Sequence, residues 1–595
     1  MSDPAASPEP PAAPPCSLAD RVVSATLAIA VAHGLAKLLG IVQWSVIGHY
    51  YGIKTLTTDA FVLAFEGIIW TVFLIGEESV GPAFLPVFTK AKDKDGEEKA
   101  WRFTSTLLNA QLLLLLLAVG ALMYWPHDAI RVLTLGEEIG ASAERAELAA
   151  HFLVWMAPSL FGLSVGSLTY MLLNGYKRFF WPAFADAALK GALVAGLIAG
   201  RALGLEAEAL IVGVLAAGVT KLAVHVLALG PKFKGYRPIL DFSDPHVRQF
   251  AVLVAPLIVG IVFAKVRDYF NNFYVLSQLG VGLLGLNSFG KKIFNALGWL
   301  VPYPLSIAMF PFLCDLVAKD DKDALGAFLT RASRMLLLVF MPLAAALTTL
   351  SVPLAQVLFQ SGKVDAAAAA QAGTVNAVYC LVLPFYALEF IFMQAYFAAH
   401  RTISVSIIGI VFSSLSMAIS YLGVVTYGLT GFDAVLLVAG GFTASRALKT
   451  MVLAAVLRWK GLPLFPWAST VSFLFRAAIL TAACGLACLA AREALERVMP
   501  SPAAPAAEAE AEEATKTEAW KTVEHEKSEA AETPPPASGG GMRGKLRALP
   551  KLAVPGLAAL VVFLIGCKLL RFEEFDEMIE FAKAKLKKRR EKGKT

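Results

Sequence analysis

The stretch AFLPVFTKAKDKDGEEKAWRFTSTLL, Ala83 to Leu108, has a counterpart in MFPFLCDLVAKDDKDALGAFLTRASRMLLL, Met309 to Leu338. Each runs from a proline-containing apolar end, through a charged loop, into a new apolar segment. A second pair follows: APSLFGLSVGSLTYMLLNGYKRFF from Ala157 and LPFYALEFIFMQAYFAAHRT from Leu383. Pro86 and Pro158 are 72 residues apart, Pro311 and Pro384 are 73 apart, and the halves are offset by 225 and 226 residues. Two landmarks at a near-constant offset mark an internal repeat. The repeat unit holds six apolar segments. An even number preserves orientation, so parallel repeats are expected, related by an axis along the membrane normal and facing each other across a central cavity.

The rest of the 595-residue chain fits this reading. It is 57% hydrophobic and 17% charged, where a soluble protein carries about a quarter charged residues. Mean hydropathy is +0.63. The apolar residues fall in blocks at roughly 22–48, 60–86, 103–125, 149–174, 181–203, 208–230, 248–276, 292–316, 332–359, 372–398, 403–426, 433–457, 468–491 and 551–570. About 20 apolar residues span the hydrocarbon core as a helix. The expectation is an all-α, polytopic membrane protein with about fourteen transmembrane helices: two six-helix repeats plus two extra C-terminal helices. Charges or glycines interrupt the second, seventh and eighth blocks. Strands are excluded, because the blocks are long and do not alternate with period two. A secreted enzyme, a nucleic-acid-binding protein and a disulfide scaffold are set aside with them.

Loop charges orient the chain through the positive-inside rule. Basic residues follow every even-numbered block: Lys90, Lys92, Lys94 and Lys99 after the second, Lys177 and Arg178 after the fourth, Lys232 and Lys234 after the sixth, Lys319 and Lys322 after the eighth, Arg401 after the tenth, and Arg458 and Lys460 after the twelfth. Odd-numbered loops are neutral or acidic, as at Glu137, Glu138, Glu144 and Glu147. Both termini are therefore expected to be cytoplasmic. The net charge of +7 owes much to Lys583–Lys594. The opening MSDPAASPEPPAAPPC lacks a basic n-region and does not read as a cleaved signal peptide. Six cysteines, including Cys484 and Cys488 one helical turn apart, read as small packing residues. No His or carboxylate cluster suggests a metal site.

The organisation expected is a disordered segment 1–20, an N-lobe 21–230 (helices one to six), a C-lobe 231–460 (helices seven to twelve), helix thirteen in 461–498, a disordered acidic Ala/Glu/Pro-rich outer loop 499–548, helix fourteen in 549–571 and a charged cytoplasmic tail 572–595.

Several strings carry a family resemblance: TDAF at Thr58–Phe61, GPAFLPVF at Gly81–Phe88 with its charged loop, LLNGYKRFFWPAF at Leu172–Phe184, KKIFNALGWLVPYPLSIAMFPFL from Lys291, and LFQSGKVD from Leu358. In order and spacing, over roughly 20–460, the sequence resembles the MurJ/MviN lipid-linked peptidoglycan precursor flippases of the multidrug/oligosaccharidyl-lipid/polysaccharide exporter superfamily. The resemblance implies two helices beyond the first twelve that line a groove for a lipid tail. It also implies basic residues in helices one, two and eight that hold a pyrophosphate.

Charges at bilayer depth cost about 2.5–3.5 kcal/mol on lenient insertion scales, so they mark candidate sites. Here they are Lys37, Asp59, Glu66, Glu77, Glu78, Lys265, Arg267, Asp268, Lys291, Lys292 and Glu389. A pyrophosphate crossing a low-dielectric layer needs Lys and Arg to replace its hydration shell with charge-assisted hydrogen bonds. By the resemblance, Lys37 and Lys292 stand where the family has arginines in helices one and eight, and Asp59 matches an acid opening helix two. Gln43 and Val72 stand where the family has further arginines, and Asn295 where it has an acid. Lys265 and Arg267 could supply the missing charge, or be neutralised locally by Asp268. The substrate-binding candidates are Lys37, Lys292, Arg267, Lys265, Asp59, Gln43 and Asn295.

Coupling or gating candidates are Asp268, Asn271, Glu77 and Glu389. Some family members hold sodium between helices seven and eleven. Here Asp268, Asn271 and Asn272 face only Ser413, Ser414 and Ser416, so sodium coupling is doubtful, and a proton or the membrane potential stays open. Glu389 could carry a proton or partner a lysine. Prolines at 158, 302, 304 and 384 allow kinks.

No covalent chemistry or cofactor is expected, and no GxxxxGK[ST] string is present. The leading expectation is a monomeric flippase in the bacterial cytoplasmic membrane. It would move a polyprenyl-pyrophosphate-linked saccharide, most directly the peptidoglycan precursor lipid II, by alternating access. Its partners would be membrane lipids and the cell-wall synthesis machinery, not nucleic acid. A cation-coupled exporter of small amphiphiles led by Glu66 and Glu389, and a transport-inactive envelope scaffold, are the alternatives.

Overall fold

The structure is a computed structural model. It describes residues 18–134, 141–298, 319–399, 401–498 and 549–580, with Met309, Phe310, Phe312, Leu313, Leu316, Val317 and Lys583 besides. The acidic loop 499–548, nearly all of segment 1–20, the basic end of the tail, Pro302, Pro304, Cys16 and Cys314 lie outside the described residues.

Every regular element among the described residues is helical, as apolar segments in lipid require, since a helix satisfies its own backbone hydrogen bonds. In chain order these are α1 (Leu18–Tyr51); α2 (Leu56–Phe61), which runs through a π-helical turn (Val62–Ile69) into α3 (Trp70–Lys90); α4 (Glu97–Tyr124); α5 (Pro126–Thr134); α6 (Ala141–Met156); α7 (Ser159–Gly175); α8 (Phe180–Ala202); and α9 (Glu208–Leu229). Then come α10 (Pro245–Tyr269) with a π-helical end (Phe270–Val275), α11 (Leu283–Gly298), α12 (Lys322–Phe359), α13 (Ala366–Cys380), α14 (Leu383–Ala398), α15 (Thr402–Tyr421), α16 (Gly431–Trp459), α17 (Trp467–Val498) and α18 (Pro550–Leu569). Side chains cap the starts where the sequence provides them. Thr55 accepts from Thr58 N, Asp321 from Ala324 N and Asp365 from Ala368 N.

Ten of these helices, counting a continuous run as one, are long and apolar enough to cross a membrane, and two bent pairs bring the number to twelve. The fourth and tenth apolar blocks are not continuous helices. Each breaks at a proline that cannot donate to the preceding turn: α6 and α7 meet at 56° beside Pro158, and α13 and α14 at 43° beside Pro384. These breaks occupy matching places in the repeated landmarks. The seventh and eighth blocks, α10 and α11, do not qualify as apolar spans among the described residues. α11 starts at Leu283, earlier than the block at 292, because the glycine-rich VGLLGLNSFG still has enough apolar residues to pack as helix.

The outward faces carry exposed apolar side chains. In α4, Leu114 is 68% exposed and Leu117 71%. Exposure of such residues is the rule for a chain whose solvent is hydrocarbon.

Two compact units are present. Unit one comprises the described residues up to Leu39, Gly76–Ala118 and Pro158–Ala255; unit two comprises Gly40–Ile75, Val119–Ala157 and the described residues from Pro256 onward. In unit one, α7, α8 and α9 pack backbone to backbone. A Cβ on Gly162 would lie 2.2 Å from the Gly218 carbonyl oxygen, and one on Gly213 2.7 Å from that of Leu193. In unit two, α12, α17 and α18 share a core of Leu338, Phe473, Leu480, Cys484, Cys567 and Phe572. The two cysteines pack there as small apolar side chains.

Candidate functional site

Unit one buries a lysine between two acids. Lys221, in the middle of α9, is 0% exposed. Its Nζ donates to Asp186 Oδ1 of α8 at 3.0 Å and to Glu77 Oε1 of α3 at 3.3 Å. One turn on, His225 meets Thr169 Oγ1 of α7 at 3.0 Å. Asp186 also acts through space on Lys37. Lys190 of α8 donates to the Ala36 carbonyl at 2.9 Å. The sequence candidates Lys37 and Glu77 therefore share one polar cluster, through Asp186 and Lys221.

Unit two holds a larger cluster. Lys292 of α11 is hydrogen-bonded and ion-paired to Glu66, which lies in the π-helical turn after α2. Ser288 Oγ donates to the same carboxylate at 2.9 Å, and the lysine sits 4.0 Å from the Trp44 ring centre. Its neighbour Lys291 donates to Asn272 Oδ1 at 2.5 Å. Arg267 donates twice to Asp268 Oδ1, at 2.8 and 3.1 Å. Lys265 also acts on Asp268 through space. Glu389 of α14 is flanked by two cations of α16: Lys449 Nζ at 2.8 Å from Oε1 and Arg446 Nε at 3.0 Å from Oε2. The Arg446 contact is an ion pair without hydrogen-bond alignment, and both atoms lack a hydrogen-bond partner. One phenyl ring organises the group. Arg267, Lys291 and Arg446 stand 5.7, 5.8 and 5.1 Å from the centre of Phe442.

Other candidates have different surroundings. Asp59 is fully buried and accepts from Gly282 N at 2.5 Å and Gly285 N at 2.7 Å. Buried Arg145 stands 3.9 Å away and donates to the Ser277 carbonyl at 3.2 Å. Asp59 thus staples α2 to the turn before α11. Gln43 is buried beside Trp44, and Asn295 is exposed. Asn271 donates to Ser416 Oγ of α15 at 2.9 Å, joining the two segments where the resemblance implies sodium. Asn271 Oδ1 is buried without a hydrogen-bond partner, so an oxygen donor of the right hardness is present. The nearest carboxylate in sequence, Asp268, is engaged by Arg267. Among the described residues no group of three or more His, Cys, Asp or Glu could hold a metal ion.

Lys221, Asp186, Lys190, Arg145, Arg446 and Lys449 escaped the sequence reading. The signal was present for most of them. Lys221, Asp186, Lys190, Arg446 and Lys449 are charges inside apolar blocks, the same pattern that singled out Lys37 and Glu389.

This arrangement of buried ion pairs in long apolar helices has known relatives. A family model described as "MurJ: Lipid II flippase MurJ" matches residues 47–500. The chain belongs to the MurJ lipid II flippase family. A probable lipid II flippase MurJ of Borreliella burgdorferi is 23% identical over 418 residues, covering 69% of this chain and 79% of that protein. One from Rhizobium meliloti is 25% identical over 415 residues, covering 68% and 74%. A solved structure of lipid II flippase MurJ in an inward closed conformation superposes with TM-score 0.64 at 17% identity, covering 92% of this chain and all of that one. An inward-facing multidrug resistance MATE family transporter of the MOP superfamily gives 0.58 at 14% identity over 73% and 97%. The fold is that of MurJ and of MOP transporters, and the protein is a multi-pass membrane protein. The MurJ match reaches to residue 500, so it takes in α17.

Proposed function

We propose that this protein flips lipid II, the lipid-linked peptidoglycan precursor, across a bacterial cytoplasmic membrane. The observation that carries the reading is the MurJ family match across residues 47–500. The part-buried cations of unit two support it, being the residue type that would take an anionic head group out of water.

In this reading the termini face the cytoplasm, as the basic loops after even-numbered blocks suggest. Transport proceeds by alternating access, with no covalent step. Flexible joins favour such a motion. The chain passes between the units at Gly40, Gly76, Val119, Pro158 and Pro256. Four of these are Gly or Pro, and the fifth is next to Gly120. Gly and Pro weaken a helix locally. If sodium couples the cycle, Asn271 and Ser416 are the residues that would hold it, and it would supply only charge there.

The test is complementation in bacteria depleted of their own lipid II flippase, with membrane expression checked. Rescue by the wild-type chain is expected. Failure to rescue at normal expression would overturn the reading.

A further inference from the structure

We infer that the diphosphate of the lipid-linked substrate is clamped by Arg267, Lys291 and Arg446 around the Phe442 ring, rather than by the Lys37 and Lys292 positions that the family pattern singles out. This rests on the flippase reading above.

The argument starts from charge. Within unit two, Arg267, Lys291, Lys292, Arg446 and Lys449 act on one another and on three carboxylates, Glu66, Asp268 and Glu389. With Lys265, which also acts on Asp268, six cations stand against three acids, a surplus of three positive charges. Such a surplus inside apolar helices is unfavourable unless an anion joins it. A diphosphate esterified at both ends carries two negative charges, which offset most of that surplus.

Position then selects the residues. Lys292 is engaged by Glu66, which Ser288 also holds, and it rests on Trp44. Lys449 is aligned on Glu389. Arg446 faces that carboxylate with a buried Nε, while the guanidinium as a whole is part-exposed and carries five donors. Arg267 spends Nε and one terminal nitrogen on Asp268, and a guanidinium has five donors. Lys291 spends one contact of three on Asn272. These three cations come from α10, α11 and α16, and all stand within 6 Å of one ring centre. The group is open on one side, the Asp268 side chain being 42% exposed. Two guanidiniums with free planar donors suit a bidentate phosphate contact, and an ammonium adds a point charge. The aromatic floor of Phe442, Tyr386 and Tyr379 keeps the cations from moving inward to neutralise themselves.

The experiment is native mass spectrometry of the full-length protein in detergent, titrated with lipid II, with a polyprenyl monophosphate and with inorganic pyrophosphate as competitor. Arg267→Gln and Arg446→Gln are each expected to weaken lipid II binding by about 10-fold or more, the scale of one charged hydrogen bond. Arg446→Lys keeps a cation beside Glu389; it should unfold at the wild-type temperature and still lose several-fold in binding. Lys460→Gln, at an exposed helix end, is the control. Displacement of lipid II by inorganic pyrophosphate, lost in the same variants, supports the clamp.

Wild-type affinity in both arginine variants would overturn it. So would a loss confined to Lys37→Gln and Lys292→Gln, or a monophosphate lipid bound as tightly as the diphosphate. If wild type neither binds lipid II nor rescues depleted cells, the flippase reading itself falls. If it does both while the arginine variants are intact, only the clamp falls.

Discussion

The two units treat buried charge in opposite ways. In unit one a cation, Lys221, is enclosed by two acids, Glu77 and Asp186. In unit two an acid, Glu389, is enclosed by two cations, Arg446 and Lys449. The first landmark offset, 225, carries Lys221 onto Arg446, and the second, 226, onto the adjacent Ala447, so the two cations lie at or beside corresponding places in the sequence. Around Lys221 the charges balance: Lys37, Lys190 and Lys221 against Glu77, Glu78 and Asp186. Around Arg446 they do not. A charge-balanced cluster holds helices together, and a cluster with a surplus is suited to receive a charge from outside.

The contrast can be broken most severely at Lys221. Lys221→Met leaves the part-buried Glu77 and Asp186 without their cation and should cost about 3 kcal/mol, the low end for a buried pair, read as a lowered thermal unfolding temperature. A triple variant, Glu77→Gln with Asp186→Asn and Lys221→Met, should recover most of that loss. If it does not, the cluster is more than a fastener.

Glu389→Gln is the mirror experiment. The amide can still accept from Lys449, so the expected loss is smaller, about 1–3 kcal/mol. Inorganic pyrophosphate should raise the unfolding temperature of this variant more than that of wild type, because losing a carboxylate enlarges the positive surplus. An equal rise in both would erase the distinction between the units. The smallest effect is expected at the surface of unit two, where Arg331 of α12 pairs with Glu577 after α18. Arg331→Ala should change stability by about 0–1 kcal/mol, and less at high salt.

Much of this was written in the sequence, because hydrocarbon is a simple solvent. Block length gave the helices, and charges inside blocks gave Lys37, Lys292 and Arg267. The pairing was not legible. Lys292 is 226 residues from Glu66, and Lys221 is 144 from Glu77, and no local pattern links them. Asp59 reads as a site residue by position, but its two backbone donors belong to a turn more than 220 residues away. The breaks beside Pro158 and Pro384 were legible as kinks but not as separate helices, since proline can bend a helix without ending it. Just beyond α7, Tyr176 of the LLNGYKRFF string takes a hydrogen bond from Trp101 and donates to Glu97. Burial, aided by that carboxylate, holds its phenol above the ordinary range, so it stays a donor across physiological pH.

The glycine contacts of unit one have a calorimetric consequence. Where Gly162 meets Gly218 and Gly213 meets Leu193, backbone touches backbone, and the surface covered was facing lipid rather than water. Separating those helices within a bilayer would expose little apolar area to water. Heat capacity change on unfolding tracks such exposure. Melting of unit one in lipid should therefore show an enthalpy nearly independent of temperature, a flat stability curve and little tendency to cold denaturation.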